Sequence, residues 1–160
     1  MIIESLEKLN KIAKEIIQKI KKEDTIFLFG EIGVGKTTLS RLIINNLQIK
    51  NNLPETEVLS PTFNILYEYD VGDYKLMHYD LYRLNKSEDL DQLGIFDQNK
   101  NNIKLIEWAE IIKKKPENRL EIYLNYGKTD GERNLDFKGF GGWKGFHASL
   151  IKKNFRRCIF

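Results

Sequence analysis

Gly30-Glu31-Ile32-Gly33-Val34-Gly35-Lys36-Thr37 is the stretch on which the fold turns. It has the form G-x-x-x-x-G-K-[ST] of a phosphate-binding loop. The apolar run Thr25-Ile26-Phe27-Leu28-Phe29 precedes it, and a helical pattern from Thr38 to Leu47 follows. That strand–loop–helix context is what such a loop requires. Glycines let backbone N–H groups turn inward around an anion with no Cβ in the way. The next helix presents its N-terminus, with free N–H groups and the positive end of its dipole, to the phosphates. Lys36 is placed to reach the β- and γ-phosphates, and the Thr37 hydroxyl to ligate Mg²⁺. The competing reading is a glycine-rich turn ahead of a chance Lys-Thr pair. Four fixed positions match by chance in roughly one per cent or less of chains this long.

Working outward, the first segment carries Leu6, Leu9, Ile12, Ala13, Ile16, Ile17 and Ile20 at helical spacing, which predicts an amphipathic helix over about residues 4–22. Residues 25–29 read as a central parallel strand buried on both faces. The helix after the loop is expected to bury Leu39, Leu42, Ile43 and Leu47. Asn64–Tyr69 and Tyr74–Asp80 read as two strands joined by the turn Asp70-Val71-Gly72-Asp73. An antiparallel hairpin inserted into a parallel α/β domain sets this chain apart from the simplest nucleotide-binding layout. Ser87 reads as the N-cap of a short helix ending near Gly94. Ile103–Ile106 is a further strand, and a short helix is expected from there to Pro116. Leu120–Leu124 alternates as a half-buried strand, and a polar turn links it to Leu135-Asp136-Phe137.

The 160 residues suffice for one domain, and 41% apolar with 31% charged residues is the composition of a soluble globular protein. A net charge of +3 suits an anionic ligand without arguing for a nucleic-acid binder. The single cysteine, Cys158, allows no disulfide within the chain and fits a reducing cytosol. The N-terminal residues lack the apolar core of a signal peptide, and no apolar run is long enough to span a membrane; the expected location is the cytoplasm. The last twenty-two residues are glycine-rich, aromatic and basic, as in Gly139–Phe146 and Lys152-Lys153-Asn154-Phe155-Arg156-Arg157. They invite a nucleic-acid reading through charge and stacking. The preferred reading is a poorly ordered or helical tail that packs its aromatics on the domain.

Hydrolysis needs a carboxylate near the metal and the attacking water, and such groups sit at the C-terminal ends of strands beside the phosphate loop. Asp80 and Glu107 both qualify, and Ile103-Lys104-Leu105-Ile106-Glu107 looks more like a buried Walker-B strand. Thr62, after Pro61, is a candidate sensor on a switch loop, with ordinary turn chemistry as its alternative. A place for Arg83 near the phosphates, or paired with a carboxylate, is the less favoured reading of that residue; His78 reads as structural, and Trp108 as a packing anchor beside the site.

Taken together, Gly30 to Thr38, Ser60-Pro61-Thr62-Phe63, His78-Tyr79-Asp80-Leu81-Tyr82-Arg83-Leu84 and Ile106-Glu107-Trp108-Ala109-Glu110 resemble one family in order and spacing. It is the bacterial TsaE family, formerly YjeE, and the resemblance covers roughly residues 5–137. It implies an α/β fold: a P-loop NTPase three-layer sandwich whose mixed central sheet contains an inserted antiparallel hairpin. The expected domain is residues 1–140, with 141–160 as a basic, aromatic C-terminal tail. The resemblance also implies an ATPase needed for N6-threonylcarbamoyladenosine, a modification of the adenosine beside the anticodon of many tRNAs. Members act with the TsaB–TsaD pair, in which TsaD is the threonylcarbamoyl transferase, and meet tRNA only through that complex. They bind ATP with Mg²⁺ and hydrolyse it slowly. By the same resemblance Glu31, Ile32, Gly33, Val34, Gly35, Lys36, Thr37 and Thr38 hold the nucleotide. Thr37 and Glu107 are the expected metal ligands, and Lys36, Thr62, Asp80 and Glu107 the residues of catalysis. Two departures stand out. Ala109 replaces the proline frequent after the Glu-Trp pair, and the segment beyond about Phe140 matches no family motif.

The residues also bear on other classes. A small-molecule kinase needs an arginine-bearing lid over the phosphates, and no compact one is visible. A GTPase commonly uses Asn-Lys-x-Asp, and Asn85-Lys86-Ser87-Glu88 has Glu in the last place. A non-catalytic nucleic-acid module rests on the basic tail alone.

Overall fold

A run such as Thr25–Phe29, almost wholly apolar, can be buried on both sides, and it forms the central strand β2 of the molecule. The structure is a computed structural model that describes residues 1–84, 89–90, 93–96 and 101–156. The remaining strands are β1 (Ile2–Ile3), β3 (Leu66–Asp70), β4 (Lys75–Asp80), β5 (Ile103–Glu107), β6 (Arg119–Tyr126) and β7 (Arg133–Phe140). The helices among the described residues are α1 (Leu6–Lys19), α2 (Lys36–Lys50) and α3 (Phe146–Arg156). The seven strands among the described residues join one mixed sheet in the order β1-β7-β6-β2-β5-β4-β3. Strands β6, β2, β5 and β4 run parallel, so their C-terminal ends share one edge of the sheet.

Side chains alternate along a strand, and β2 divides its residues between two cores. Ile26 and Leu28 face α1 and α2, meeting Ile12, Ile16, Leu39, Ile43 and Leu47. Phe27 and Phe29 face the other way, towards Met77, Tyr79, Ile106, Leu81, Ile95 and Ile112. Helix α1 starts at Leu6 because the Ser5 side chain accepts a hydrogen bond from the Lys8 N–H. It ends at Lys19, where Ile20 turns extended, so it is shorter than the periodicity predicts. Leu6, counted in that apolar stripe, is 62% exposed.

The hairpin predicted at 64–80 is present, and its place in the sheet is now specific. Strand β3 pairs antiparallel with β4 at the sheet edge, while β4 pairs parallel with β5. A second hairpin, β6–β7, lies on the other side of β2. The N-terminal pair Ile2–Ile3 adds to β7, with the terminal ammonium donating to the Leu135 carbonyl at 2.8 Å. Nothing in two residues of sequence announces a strand, and only the exposed edge of β7 makes it one. The helix expected up to Pro116 is a single 3-10 turn, Ala109–Ile111. It stops where the Ile112 backbone turns extended, at φ −78° and ψ 105°.

The C-terminal segment folds back as a 3-10 turn, Gly141–Trp143, followed by α3. Trp143 is 1% exposed, and with Phe146 and Leu150 it belongs to the core shared by α1 and α2. The expected cap at Ser87, the Asn85–Glu88 motif, Arg157 and Cys158 lie outside the described residues. No helix among the described residues is long and apolar enough to cross a membrane.

Candidate functional site

The parallel strands bring the site together at their C-terminal edge. Leu28 of β2 stands level with Glu107 of β5, and Glu107 stands level with Asp80 of β4. The phosphate-type loop leaves β2 at Gly30. A Cβ built there would lie 2.3 Å from the Leu124 carbonyl oxygen of β6, so only glycine fits between the strands. Gly35 has φ +112°, in the range glycine favours, and it caps α2 without any side-chain hydrogen bond. The first-turn N–H groups of α2 therefore keep their capacity for an anion.

Lys36 folds back over this loop. Its ammonium donates to the carbonyls of Gly30 at 2.7 Å and Glu31 at 2.8 Å and lies 3.7 Å above the Trp108 ring. Burial holds its pKa below the usual lysine value, against the pull of Glu107, Glu110 and Asp80. Trp108 reaches this position because its backbone is left-handed, φ 58°, where β5 turns into the 3-10 segment. Tyr82 packs against Trp108, ring centres 4.8 Å apart.

Glu107 is 1% exposed, and its carboxylate is held by three donors. The Thr37 hydroxyl donates to Oε2 at 3.0 Å, the Ser40 hydroxyl to Oε1 at 2.8 Å, and His78 Nε2 lies 2.8 Å from Oε1. His78 is fully buried and its Nδ1 meets no partner. An unused lone pair costs less than an unused N–H, which puts the proton on Nε2, as donor to Glu107. Asp80, 2% exposed, accepts from the Thr62 hydroxyl at 2.6 Å and from the Tyr82 N–H at 2.9 Å. Ser60 and Thr62 share a hydrogen bond of 2.8 Å between their hydroxyls.

These groups line one open cleft, with walls from Ile32, Gly33, Gly35, Lys36, Thr37, Thr38, Ser60, Thr62, Asp80, Glu107 and Trp108. Of the residues expected from sequence, Glu31 and Val34 are not in the lining; Val34 is buried in the core beneath the loop. Arg83 stacks on the exposed Phe63 ring at 4.3 Å and is also absent from the lining. The two carboxylates have separate companions, Glu107 on the α2 side and Asp80 on the Ser60–Thr62 loop. The oxygen pair of Thr37 and Glu107 suits a hard divalent cation that shares its coordination with phosphate and water. No group of three or more acidic, histidine or cysteine side chains among the described residues forms an all-protein metal cage.

Ser40 had no place in the sequence reading, although Lys36 and Ser40 are one helical turn apart on the same face of α2. His78, read as structural, is the buried partner of Glu107. Tyr126 and Arg133 were also passed over. They reach the loop from the β6–β7 hairpin, donating to the carbonyls of Ile32 at 2.8 Å and Val34 at 3.0 Å.

The family model described as "Threonylcarbamoyl adenosine biosynthesis protein TsaE" matches residues 3–135. A Rickettsia felis protein named tRNA threonylcarbamoyladenosine biosynthesis protein TsaE is 40% identical over 113 residues, 71% of this chain and 64% of the relative. The Bacillus subtilis protein of the same name is 35% identical over 137 residues, covering 84% of this chain and 82% of that protein. The chain thus spans less than two thirds of the Rickettsia felis relative and most of the Bacillus one. The crystal structure of Bacillus subtilis YdiB superposes with a TM-score of 0.69 at 27% identity, covering 98% of this chain and 93% of that one.

Proposed function

The chain belongs to the TsaE family, and we propose that it is a slow Mg²⁺-dependent ATPase serving threonylcarbamoyladenosine modification of tRNA together with the TsaB–TsaD pair. The observation that carries this reading is the 3.0 Å contact between Thr37 and Glu107. It joins the first turn of the helix after the phosphate loop to the end of the neighbouring strand, where a phosphate-bound cation needs its protein ligands.

The loop N–H groups and the first turn of α2 bind the phosphates. Lys36 exchanges its two carbonyl partners for β- and γ-phosphate oxygens, whose negative charge favours its ammonium form. Thr37 and Glu107 would hold Mg²⁺, which when bound neutralises negative charge on the β- and γ-phosphate oxygens. His78 and Ser40 keep the Glu107 carboxylate aimed at Thr37. Asp80, fixed by the Tyr82 N–H, orients the attacking water and accepts its proton. Thr62 sits beside Asp80 and signals the γ-phosphate to its loop.

The test is ATP hydrolysis by the chain alone and with TsaB and TsaD, for the natural sequence and for Lys36→Ala. Slow turnover that rises with the pair and vanishes in the variant is expected. Undiminished hydrolysis by Lys36→Ala would sink the phosphate-loop assignment, and indifference to the pair would leave an ATPase of another pathway.

A further inference from the structure

The phosphate loop is braced from behind. Tyr126, the last residue of β6, donates its phenol O–H to the Ile32 carbonyl at 2.8 Å. Arg133, the first residue of β7, donates Nε–H to the Val34 carbonyl at 3.0 Å. The two are cross-strand partners in the β6–β7 ladder, and the guanidinium stacks on the Tyr126 ring with its carbon 4.5 Å from the ring centre. The hairpin that carries them is closed by the Gly127 N–H to the Glu132 carbonyl at 2.9 Å. Its arm is held again by β1, in which Ile3 stands opposite Arg133.

A planar trans peptide points the C=O of one residue and the N–H of the next in opposite directions, and no peptide bond among the described residues is cis. Drawing the Ile32 and Val34 carbonyls towards the hairpin therefore turns the Gly33 and Gly35 N–H groups away from it. Gly33 and Gly35 line the cleft, whereas Val34 between them faces the core. Glycines at these positions leave the peptide planes free to rotate, so a tether outside the loop is what fixes them.

We propose that Tyr126 and Arg133 are positioning residues for phosphate binding: their bonds to the Ile32 and Val34 carbonyls hold the Gly33 and Gly35 N–H groups in the orientation that receives an anion. The proposal deepens the ATPase reading and rests on it for the identity of the ligand. The bracing itself is a property of the free protein and can be measured without nucleotide.

Tyr126→Phe removes one hydroxyl and keeps the ring; Arg133→Met removes the donor and keeps most of the stem; Arg133→Lys restores a donor. Affinity for Mg-ATP is measured by calorimetry, with the thermal midpoint of each variant alongside. Tyr126→Phe is expected to weaken Mg-ATP about fivefold and Arg133→Met about tenfold or more, in line with the loss of a neutral and a charge-assisted hydrogen bond. Arg133→Lys should recover part of the loss. A purely structural role would lower the midpoint without this selective rescue of binding. Backbone NMR order parameters at Gly33 and Gly35 of the nucleotide-free protein should fall in Tyr126→Phe. If the natural chain binds Mg-ATP and both removal variants bind it equally well, the bracing is wrong and the ATPase reading stands. If the natural chain binds no nucleotide, the ATPase reading falls, and unchanged order parameters at Gly33 and Gly35 would then overturn the bracing on their own.

Discussion

Lys36 is a buried cation among acids, and its charge is the most sensitive reporter of the cleft. Burial depresses its pKa from 10.5, while Glu107, then Glu110 and Asp80, oppose the shift. The unfolded chain therefore holds the lysine proton at pH values where the folded chain has begun to release it. Folding stability contributed by this group is missing below the folded pKa and rises as pH climbs from that value towards 10.5. Lys36→Met should remove that rise in urea midpoints measured between neutral and alkaline pH. Glu107→Gln takes away the strongest opposing charge, so the Lys36 ammonium should titrate at lower pH than in the natural chain, as followed by NMR of the side-chain amine. Ser40 offers a separate check on Glu107. Ser40→Ala deletes a hydrogen bond to a buried carboxylate. It should cost about 1.5–3 kcal/mol in urea unfolding and lower ATP turnover more than ATP affinity.

Strand β6 shows the same interplay with the sign reversed. Glu121 is buried, which by itself raises a carboxyl pKa, but hydrogen bonds from Tyr123, Arg119 and Lys115 outweigh burial and leave it lowered. Arg119 Nε lies 2.9 Å, Lys115 Nζ 3.0 Å and the Tyr123 hydroxyl 2.7 Å from this carboxylate. Burial first, and the bond to Glu121 next, push the Tyr123 phenol up to about 12, against a smaller opposing pull from Arg119. A lowered carboxylate contributes stability that is complete above its unfolded value and disappears as pH falls through the folded one. Glu121→Gln should thus flatten the acid limb of the stability curve below the unfolded carboxyl value of 4.5, read from urea midpoints. At the β2–loop junction, Gly30→Ala must push its Cβ against the Leu124 carbonyl with φ at +141°. A loss of at least about 1–3 kcal/mol is expected from the strained backbone alone, read as a lower thermal midpoint with the strand pair intact by circular dichroism.

Over the whole molecule, the C-terminal segment and the first helix share one core. Trp143, Phe146 and Leu150 pack with Phe137 and with Ile12 and Ile16, the last two more than a hundred residues away in sequence. Trp143→Ala should cost about 3–5 kcal/mol in unfolding free energy, and removal of residues 141–160 should lower the thermal midpoint further and expose hydrophobic surface to a dye. If the truncated chain melts like the intact one, the packing of this segment contributes nothing to stability. Local pattern was enough for much of the rest. The loop Gly30–Thr37, the buried run of β2, the 66–80 hairpin and the strand-ending Asp80 and Glu107 are written in glycine spacing, hydrophobic period and strand ends, all of which involve neighbours a few residues apart. Tertiary structure alone brought Ser40 and His78 to Glu107, Tyr126 and Arg133 to the loop, Ile2–Ile3 to β7 and Trp108 over Lys36. Those contacts join side chains and edges from separate elements, and which hydrogen-bonding groups meet is fixed by strand order and register. The residues by themselves determined that a glycine-rich loop of phosphate-binding form follows a buried strand in an α/β fold. The packing decided which side chains hold that loop and its carboxylate in place, because buried polar groups must find their partners across the sheet.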